Sequence, residues 1–383
     1  MDLPFERVLT RRSFLKGCSL VMLSGFALPK LLKWAEAQDL SPKPGYYELH
    51  KASYYKKLPK QKVQCQLCPR YCVVTEGKRG FCRVRENRKG DYYTLAYSNP
   101  CAVHIDPMEK KPLFHFLPGT AALSLATAGC NFTCKNCQNW NISQAKPDET
   151  DNLKVAPQEM VELALQYGTP TIAYTYTEPT VFYEYMLATA KLAHEKGIFN
   201  IYHSNGYIND EPLKELTNYL DGANVDLKAF DDDFYKNITG GSLKPVLDTL
   251  KTLKKKGVWL EITNLIIPTK NDSEDMIRGL CQWIKKELGE GTPLHLSRFY
   301  PWYKLQNLAP TPVETLKRAF EIAREAGLNY VYIGNLPRMP EENTYCPYCE
   351  KLIIERNGYE VLQFDLEKGK CKFCGKDIPG HWQ

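Results

Sequence analysis

The sequence has no long hydrophobic run. Its longest apolar stretch, Cys18–Leu28, covers about eleven residues, whereas a membrane-crossing helix needs about twenty. It also has no strong charge of one sign. Fifty Lys and Arg face 44 Asp and Glu, and the first 37 residues alone carry six basic against three acidic side chains. The remainder, 44 basic against 41 acidic, gives no strong nucleic-acid signal. Internal repeats and low-complexity tracts are absent, so neither a solenoid nor a disordered scaffold is indicated. With 43% hydrophobic and 25% charged residues the chain reads as globular, and 383 residues suit one large domain with additions or two to three domains.

Cysteine, by contrast, is plentiful. Of fourteen, eleven form three groups: Cys65, Cys68, Cys72 and Cys82; Cys130, Cys134 and Cys137; and Cys346, Cys349, Cys371 and Cys374. Tight Cys-x2-Cys pairs point to metal binding more than to disulfides. Cys101 stands between the first two groups, and Cys18 and Cys281 read as small hydrophobes in apolar surroundings.

The beginning has the character of an address. Thr10-Arg11-Arg12-Ser13-Phe14-Leu15-Lys16 is a twin-arginine pattern, followed by the short apolar stretch and an Ala35-Glu36-Ala37 cleavage site. Residues 1–37 are therefore expected to be a twin-arginine signal peptide, with the twin-arginine export machinery as a partner and the periplasm or outer membrane face as destination. The alternative is a retained amphipathic helix on a cytoplasmic protein. Residues 38–60 read as a polar linker, 61–117 as a Cys-rich N-terminal module, 118–336 as the main domain and 343–383 as a second Cys module.

The middle alternates strand and helix patterns. Strands are expected near 122–127, 171–176, 199–204, 223–229, 259–267, 294–299 and 330–333, with helices between them. Such alternation argues for parallel βα units. About seven strands suggest an α/β fold, a complete or partial TIM-like barrel, whose site sits at the C-terminal strand ends. The polar residues fall there: the three-cysteine loop after the first strand, Thr177-Glu178-Pro179 after the second, Ser204-Asn205-Gly206 after the third, and Asp226 and Lys228 at the fourth.

The loop "CNFTCKNCQNW" places Cys130, Cys134 and Cys137 within eight residues, with no other Cys or His within ten. A closed zinc site takes four ligands, and an iron–sulfur cluster is normally held by four cysteines. A [4Fe–4S] cluster held by three leaves one iron open. Zinc, or a disulfide plus a free thiol, is the alternative.

This loop on this scaffold resembles the radical S-adenosylmethionine (SAM) superfamily, in the branch of the pyruvate formate-lyase activating enzymes. It is most similar there to the radical SAM enzyme of the AmmeMemoRadiSam system. The resemblance runs from about residue 62 onward through "CQLCPRYCVVTEGKRGFCRVREN", "DPMEKKPLFHFLPGT", "ATAGCNFTCKNCQNW", "YTYTEPTVFYEY", "VDLK", "EITNLIIP", "HLSRFYP", "YVYIGN" and "NTYCPYC". It implies a [4Fe–4S] cluster on Cys130, Cys134 and Cys137, with SAM chelating the open iron. It further implies reductive cleavage of SAM to a 5′-deoxyadenosyl radical that abstracts hydrogen from a substrate. Glu178, Ser204, Asn205, Asp226 and Lys228 fall at the family's SAM-binding positions, Lys228 as partner of the SAM carboxylate. The chain departs from the pattern at Tyr176-Thr177, where the family has two glycines, at His203, where it has Asp, and at Tyr300, where it often has His. Asn264 and Arg298 are candidates for lining the site. The substrate is unidentified, with a protein, a small molecule or RNA as open readings, and an electron donor such as flavodoxin or ferredoxin is implied. The competing reading is a non-catalytic zinc or iron–sulfur binding or electron-transfer protein.

The C-terminal cysteines frame a hairpin-like stretch and read as a zinc ribbon, with rubredoxin-like iron or disulfides as alternatives. The N-terminal four fit zinc or a second cluster. His104 and His115 read as structural, and the segment "DPMEKKPLFHF", which contains His115, is expected over the barrel mouth.

Overall fold

Period-two patterning builds the central sheet in the computed structural model, which describes residues 41–336 and 338–382. The expected leader, residues 1–37, lies outside the described residues. The elements run β1 (Ala102–Pro107), β2 (Ala121–Ala126), α1 (Pro157–Gln166), β3 (Thr171–Tyr174), α2 (Tyr183–Glu195), β4 (Phe199–Ser204), α3 (Asp210–Leu216), β5 (Gly222–Asp226), α4 (Leu243–Lys255), β6 (Trp259–Ile266), α5 (Glu274–Leu288), β7 (Leu294–Arg298), α6 (Val313–Glu325) and β8 (Val331–Gly334). The eight strands pair in chain order, and every pair is parallel except β1 with β2. The order is that of a barrel, but the sheet ends at β1 and β8 among the described residues, so the barrel is partial.

One parity of the strands is apolar. Leu123, Leu125, Ile172, Val225, Ile262, Leu296 and Ile333 join Val246, Leu250, Leu280 and Leu316 of the helices in one buried core. The other parity carries buried polar residues, among them Ser124, Asn224, Glu261, Thr263 and His295. The helices supply the matching 3.6-residue stripe: α4 buries Leu243, Val246, Leu250 and Leu253. Lys254 and Lys255 lie in the last turn of α4, where they oppose the helix dipole. Among the described residues no helix is long and apolar enough to cross a membrane.

The polar interior has a reason. Because β1 runs antiparallel to β2, the chain leaves β1 at Pro107, opposite Ala121 at the start of β2. Residues 108–118 then fill the N-terminal end of the barrel. The Glu261 carboxylate accepts from the backbone N–H of Phe114 (3.0 Å) and His115 (2.8 Å) and pairs with His295 at 2.6 Å. Asn224 Nδ2 donates to Pro112 O at 2.6 Å. A buried loop must satisfy its backbone in this way. The segment expected over the mouth is therefore the floor, at the opposite end from the cysteine loop.

The C-terminal module docks on that floor. Its hairpin, Leu352–Asn357 with Glu360–Phe364, places Ile353 and Ile354 in a core with Phe114, Tyr330 and Tyr332. Arg356 Nη2 donates to Phe114 O at 2.8 Å. His381 N donates to His115 O, and Leu117 N to His381 O, both at 2.7 Å.

The N-terminal residues also differ from expectation. The supposed linker contributes three strands: Lys43–Pro44 pairs with Asp151–Asn152, His50–Lys51 with Asp91–Thr94, and Tyr55–Leu58 with Lys62–Cys65. Its tyrosines are anchors: Tyr54 Oη donates to Glu215 at 2.6 Å and Tyr55 Oη to Asp91 at 3.0 Å.

Candidate active site at the barrel mouth

The three-cysteine loop leaves β2 at its C-terminal end and is held from three sides. Gly129, at φ +94°, permits the turn into it; a Cβ there would stand 2.6 Å from the Cys82 carbonyl oxygen. Thr133 N donates to Thr239 O (2.9 Å), and Lys135 N to Ile238 O (3.0 Å), fastening the loop to the segment after β5. Arg70 of the N-terminal module donates through Nε to Asn131 O at 2.5 Å and through Nη2 to Gly240 O. The side of the loop away from solvent is aromatic, with Phe132 buried against Tyr207 and Tyr235.

The thiols sit in distinct surroundings. Burial pushes all three up: Cys134 to about 12, with Lys228 opposing, Cys130 well above the ordinary thiol range with the Glu178 charge adding to burial, and Cys137 up despite Ser143. Ser143 Oγ is 3.2 Å from Cys137 Sγ, and Phe132 N donates to Cys130 Sγ at 3.3 Å. As neutral thiols these groups are poor ligands, so loading a metal here must release their protons.

Asp226 and Lys228 meet beside Cys134. Lys228 Nζ donates to Asp226 Oδ2 at 2.8 Å, and His203 Nε2 lies 3.1 Å from Asp226 Oδ1. Burial acts to raise the Asp226 carboxyl, but Lys228 and His203 reverse this and hold it well below the usual range. Burial likewise acts to lower Lys228, and the charge of Asp226 and its hydrogen bond more than compensate, so the ammonium is held charged. Lys228 remains about a fifth exposed and Asp226 about a quarter, both open to the mouth.

Glu178, Ser204 and Asn205 gather beside Cys130. Glu178 caps the short helix Pro179–Phe182, accepting from Thr180 N (3.0 Å) and Thr180 Oγ1 (2.7 Å). It also accepts from Ser204 Oγ and Asn205 N, each at 2.8 Å. Four donors saturate this buried carboxylate, so it fixes the β3 loop to the β4 loop. Asn205 is placed toward the cysteines, its Nδ2 2.8 Å from Asn131 Oδ1 and 3.9 Å from Cys130 Sγ. Gly206 completes the turn at φ +69°, where a Cβ would come within 2.9 Å of Val225.

Other candidates stand further back. Asn264 Nδ2 donates to Leu227 O (2.7 Å), and Arg298 Nε to Thr311 O (2.8 Å), bracing neighbouring loops. Tyr300 Oη donates to Asn335 O at 3.2 Å. Tyr176 takes φ +62°, a conformation that favours glycine. Its carbonyl accepts from Asn139 Nδ2 at 2.7 Å, and its hydroxyl donates to Asp106 in the barrel interior. Sequence reasoning missed Asn131 and Ser143. Asn131 was marked only by following Cys130 directly; Ser143 carried no signal.

The two flanking cysteine sets differ. In the C-terminal module Cys346 and Cys374 Sγ are 3.6 Å apart, Cys349 and Cys371 Sγ 3.8 Å, and all four thiols lie within 4.8 Å of one another. Bonds of about 2.3 Å around one tetrahedral ion give an edge of about 3.8 Å. Among the described residues no other cysteine group draws together this closely. Cys65, Cys68, Cys72 and Cys82 line one cavity between the N-terminal module and the barrel.

A sequence profile of the radical SAM superfamily matches residues 124–284, from β2 into α5. The uncharacterized protein MJ0808 of Methanocaldococcus jannaschii is 50% identical over 332 residues, covering 86% of this chain and 99% of that protein. The pyruvate formate-lyase-activating enzyme of Clostridium pasteurianum is 26% identical over 216 residues, covering 51% of this chain and 87% of that one. Among solved structures, a domain of the pyruvate-formate lyase-activating enzyme from Bacteroides vulgatus aligns with a TM-score of 0.38 at 16% identity, covering 43% of this chain and 98% of that domain. The matched span carries the cysteine loop, Glu178, Asn205, Asp226 and Lys228, and the chain belongs to the radical SAM superfamily, whose members use a [4Fe–4S] cluster and SAM.

Proposed function

We propose that this protein is a radical SAM enzyme of the activating-enzyme kind, which cleaves SAM reductively and takes a hydrogen atom from a protein substrate. The observation that carries the reading is the convergence at one mouth of three thiols with a charged lysine on one side and an amide on the other. The donor set fits the cluster: Cys130, Cys134 and Cys137 are three sulfur ligands at one loop, and among the described residues they do not draw together like the four thiols of the C-terminal module. When bound, cluster and SAM supply an electron, the S–C bond cleavage and the hydrogen-abstracting radical.

The chain's own residues bind, orient and shield. Lys228 offers a fixed positive charge for the SAM carboxylate, and Asp226 keeps it ionised and directed. His203 braces Asp226 from the other side, in the place where relatives are expected to carry an acid. Asn205, locked by Asn131, presents its amide toward Cys130 and the space beside it. The buried ring of Phe132 keeps water from the back of the loop. The names of the relatives support a protein substrate. We further assign a single Zn2+ to the C-terminal thiols, on their tetrahedral spacing.

The test is anaerobic reconstitution with iron and sulfide, followed by SAM and a low-potential reductant. Formation of 5′-deoxyadenosine and methionine is expected, with a cluster spectrum that changes when SAM is added. A reconstituted cluster whose spectrum ignores SAM, with no cleavage, would sink the proposal.

A further inference from the structure

We infer that Cys65, Cys68, Cys72 and Cys82 hold a second iron–sulfur cluster, which passes electrons to the cluster of the barrel mouth. The relay rests on the mouth cluster proposed above; the site itself does not.

Three observations carry it. First, the four thiols line one cavity, yet they are not drawn together like those of the C-terminal module. A single zinc would set its sulfur ligands about 3.8 Å apart. The C-terminal thiols reach 3.6 and 3.8 Å, and among the described residues the N-terminal set does not draw together in that way. The same chain thus displays both arrangements.

Second, the cavity wall contains a donor in need of an acceptor. Arg85 is 1% exposed and lines the cavity. Its Nη2 pairs with Glu184 and its Nη1 reaches Ser53 O at 3.4 Å, but its buried Nε has no partner among the described residues. Such a donor is costly unless an acceptor fills the space beside it. A cluster with four thiolates is anionic, and its sulfur atoms accept N–H hydrogen bonds.

Third, the cavity backs directly onto the mouth. Asn131 and Thr180 are part of its wall. Asn131 follows Cys130, and Thr180 donates its hydroxyl to Glu178 at 2.7 Å. Arg70, also in the wall, holds Asn131 O. At Gly129 the two cysteine segments pass so closely that a Cβ would strike the Cys82 carbonyl. On the other side, Tyr71, Val73 and Phe81, neighbours of Cys72 and Cys82 in the chain, are exposed. The site therefore stands between solvent and the mouth.

The step is a one-electron exchange. The reduced N-terminal cluster is oxidised by one electron and the mouth cluster is reduced by one. An external one-electron donor of the flavin or iron–sulfur class then restores the first.

The test begins with metal and acid-labile sulfide counts on the reconstituted full chain. About eight iron and one zinc are expected per chain, whereas about four iron and two zinc would overturn the assignment. A Cys130→Ala/Cys134→Ala/Cys137→Ala variant is expected to keep about four iron and an electron paramagnetic resonance signal that SAM does not alter. Loss of all iron in that variant would also overturn the inference. If the mouth reading alone were wrong, this variant and the wild type would hold the same iron.

The relay is tested with Cys65, Cys68, Cys72 and Cys82 all changed to Ser. SAM cleavage driven by reduced flavodoxin should fall at least about tenfold, while cleavage driven by dithionite stays within about twofold. Equal loss with both donors, or with neither, would overturn the relay. Should this variant fail to fold, the wild-type count and the mouth variant decide the site. Single-turnover reduction in the wild type decides the relay: flavodoxin must reduce the SAM-insensitive signal before the SAM-sensitive one, and the reverse order overturns it.

Discussion

The C-terminal module and the barrel mouth use the same ligand atom to opposite ends. In the module two thiol pairs stand 3.6 and 3.8 Å apart, and all four thiols lie within 4.8 Å of one another. At the mouth three thiols each stand beside a different group: Cys130 by Asn205, Cys134 by Lys228, Cys137 by Ser143. As a closed set, four thiols so placed would saturate one ion, and only folding energy would be gained. As an open set, three thiols would leave one position free on the proposed cluster, beside a lysine that is held charged. On the proposed reading, ligand count would separate structure from chemistry, as it does between structural and catalytic zinc sites.

The largest effect should come from closing the comparison at the mouth. Cys134→Ala is expected to abolish SAM cleavage and remove about four iron per chain while the zinc content stays at one, by metal analysis and product chromatography. Retained cleavage would mean that the open set is not the reacting one. Lys228→Ala should leave the iron count intact and raise the apparent KM for SAM about ten- to hundredfold, the size of a hydrogen bond to a charged group. Lys228→Arg should recover part of that loss, because the charge returns without the same reach. An unchanged KM in Lys228→Ala would detach the Asp226 pair from SAM binding. Cys371→Ser should lower the melting temperature by several degrees, read by calorimetry, with SAM cleavage per folded molecule unchanged. If catalysis fell with stability unaltered, the closed set would have a chemical role.

The smallest effect concerns the floor that joins the two regions. His115 Nδ1 donates to Pro379 O at 2.7 Å, and its Nε2 accepts from Tyr332 at 2.6 Å, which fixes the neutral ring. Burial lowers its pKa from 6.5 to about 4. Between those values the unfolded chain binds the extra proton, so stability must fall as pH drops from 6.5 toward 4. His115→Gln should flatten that part of the stability curve, measured by denaturant titration at several pH values. An unchanged slope would show that the ring does not carry it.

Local chemistry was legible in the sequence; long-range contacts were not. The cysteine loop, Asn205, Asp226 and Lys228 could be read because each ends a strand whose pattern is visible, and parallel strands bring such ends together. Glu178 was legible in position, but its four donors come partly from Ser204 and Asn205, 26 and 27 residues away. The floor was misread as a lid because nothing local reveals that β1 runs antiparallel. That fact places Phe114 and His115 on Glu261, some 147 residues later. The strands of residues 43–58 were hidden by Pro, Lys and Tyr, a composition shared with linkers, and emerge only through partners such as Asp151–Asn152 and Asp91–Thr94. The contrast between the N-terminal and C-terminal cysteine sets depends on spacing in space, which spacing in sequence does not encode.

The floor also sets an order on biosynthesis. His115 leaves the ribosome long before its acceptor Pro379, 264 residues further on, and Leu117 waits likewise for His381. Pairings of such separation form late. Through most of translation the nascent barrel carries its cysteine loop at a finished end and remains unsealed at the other. A chain arrested before residue 379 would therefore leave His115 without its carbonyl and should be a preferred substrate for quality-control proteases, even with its mouth fully assembled.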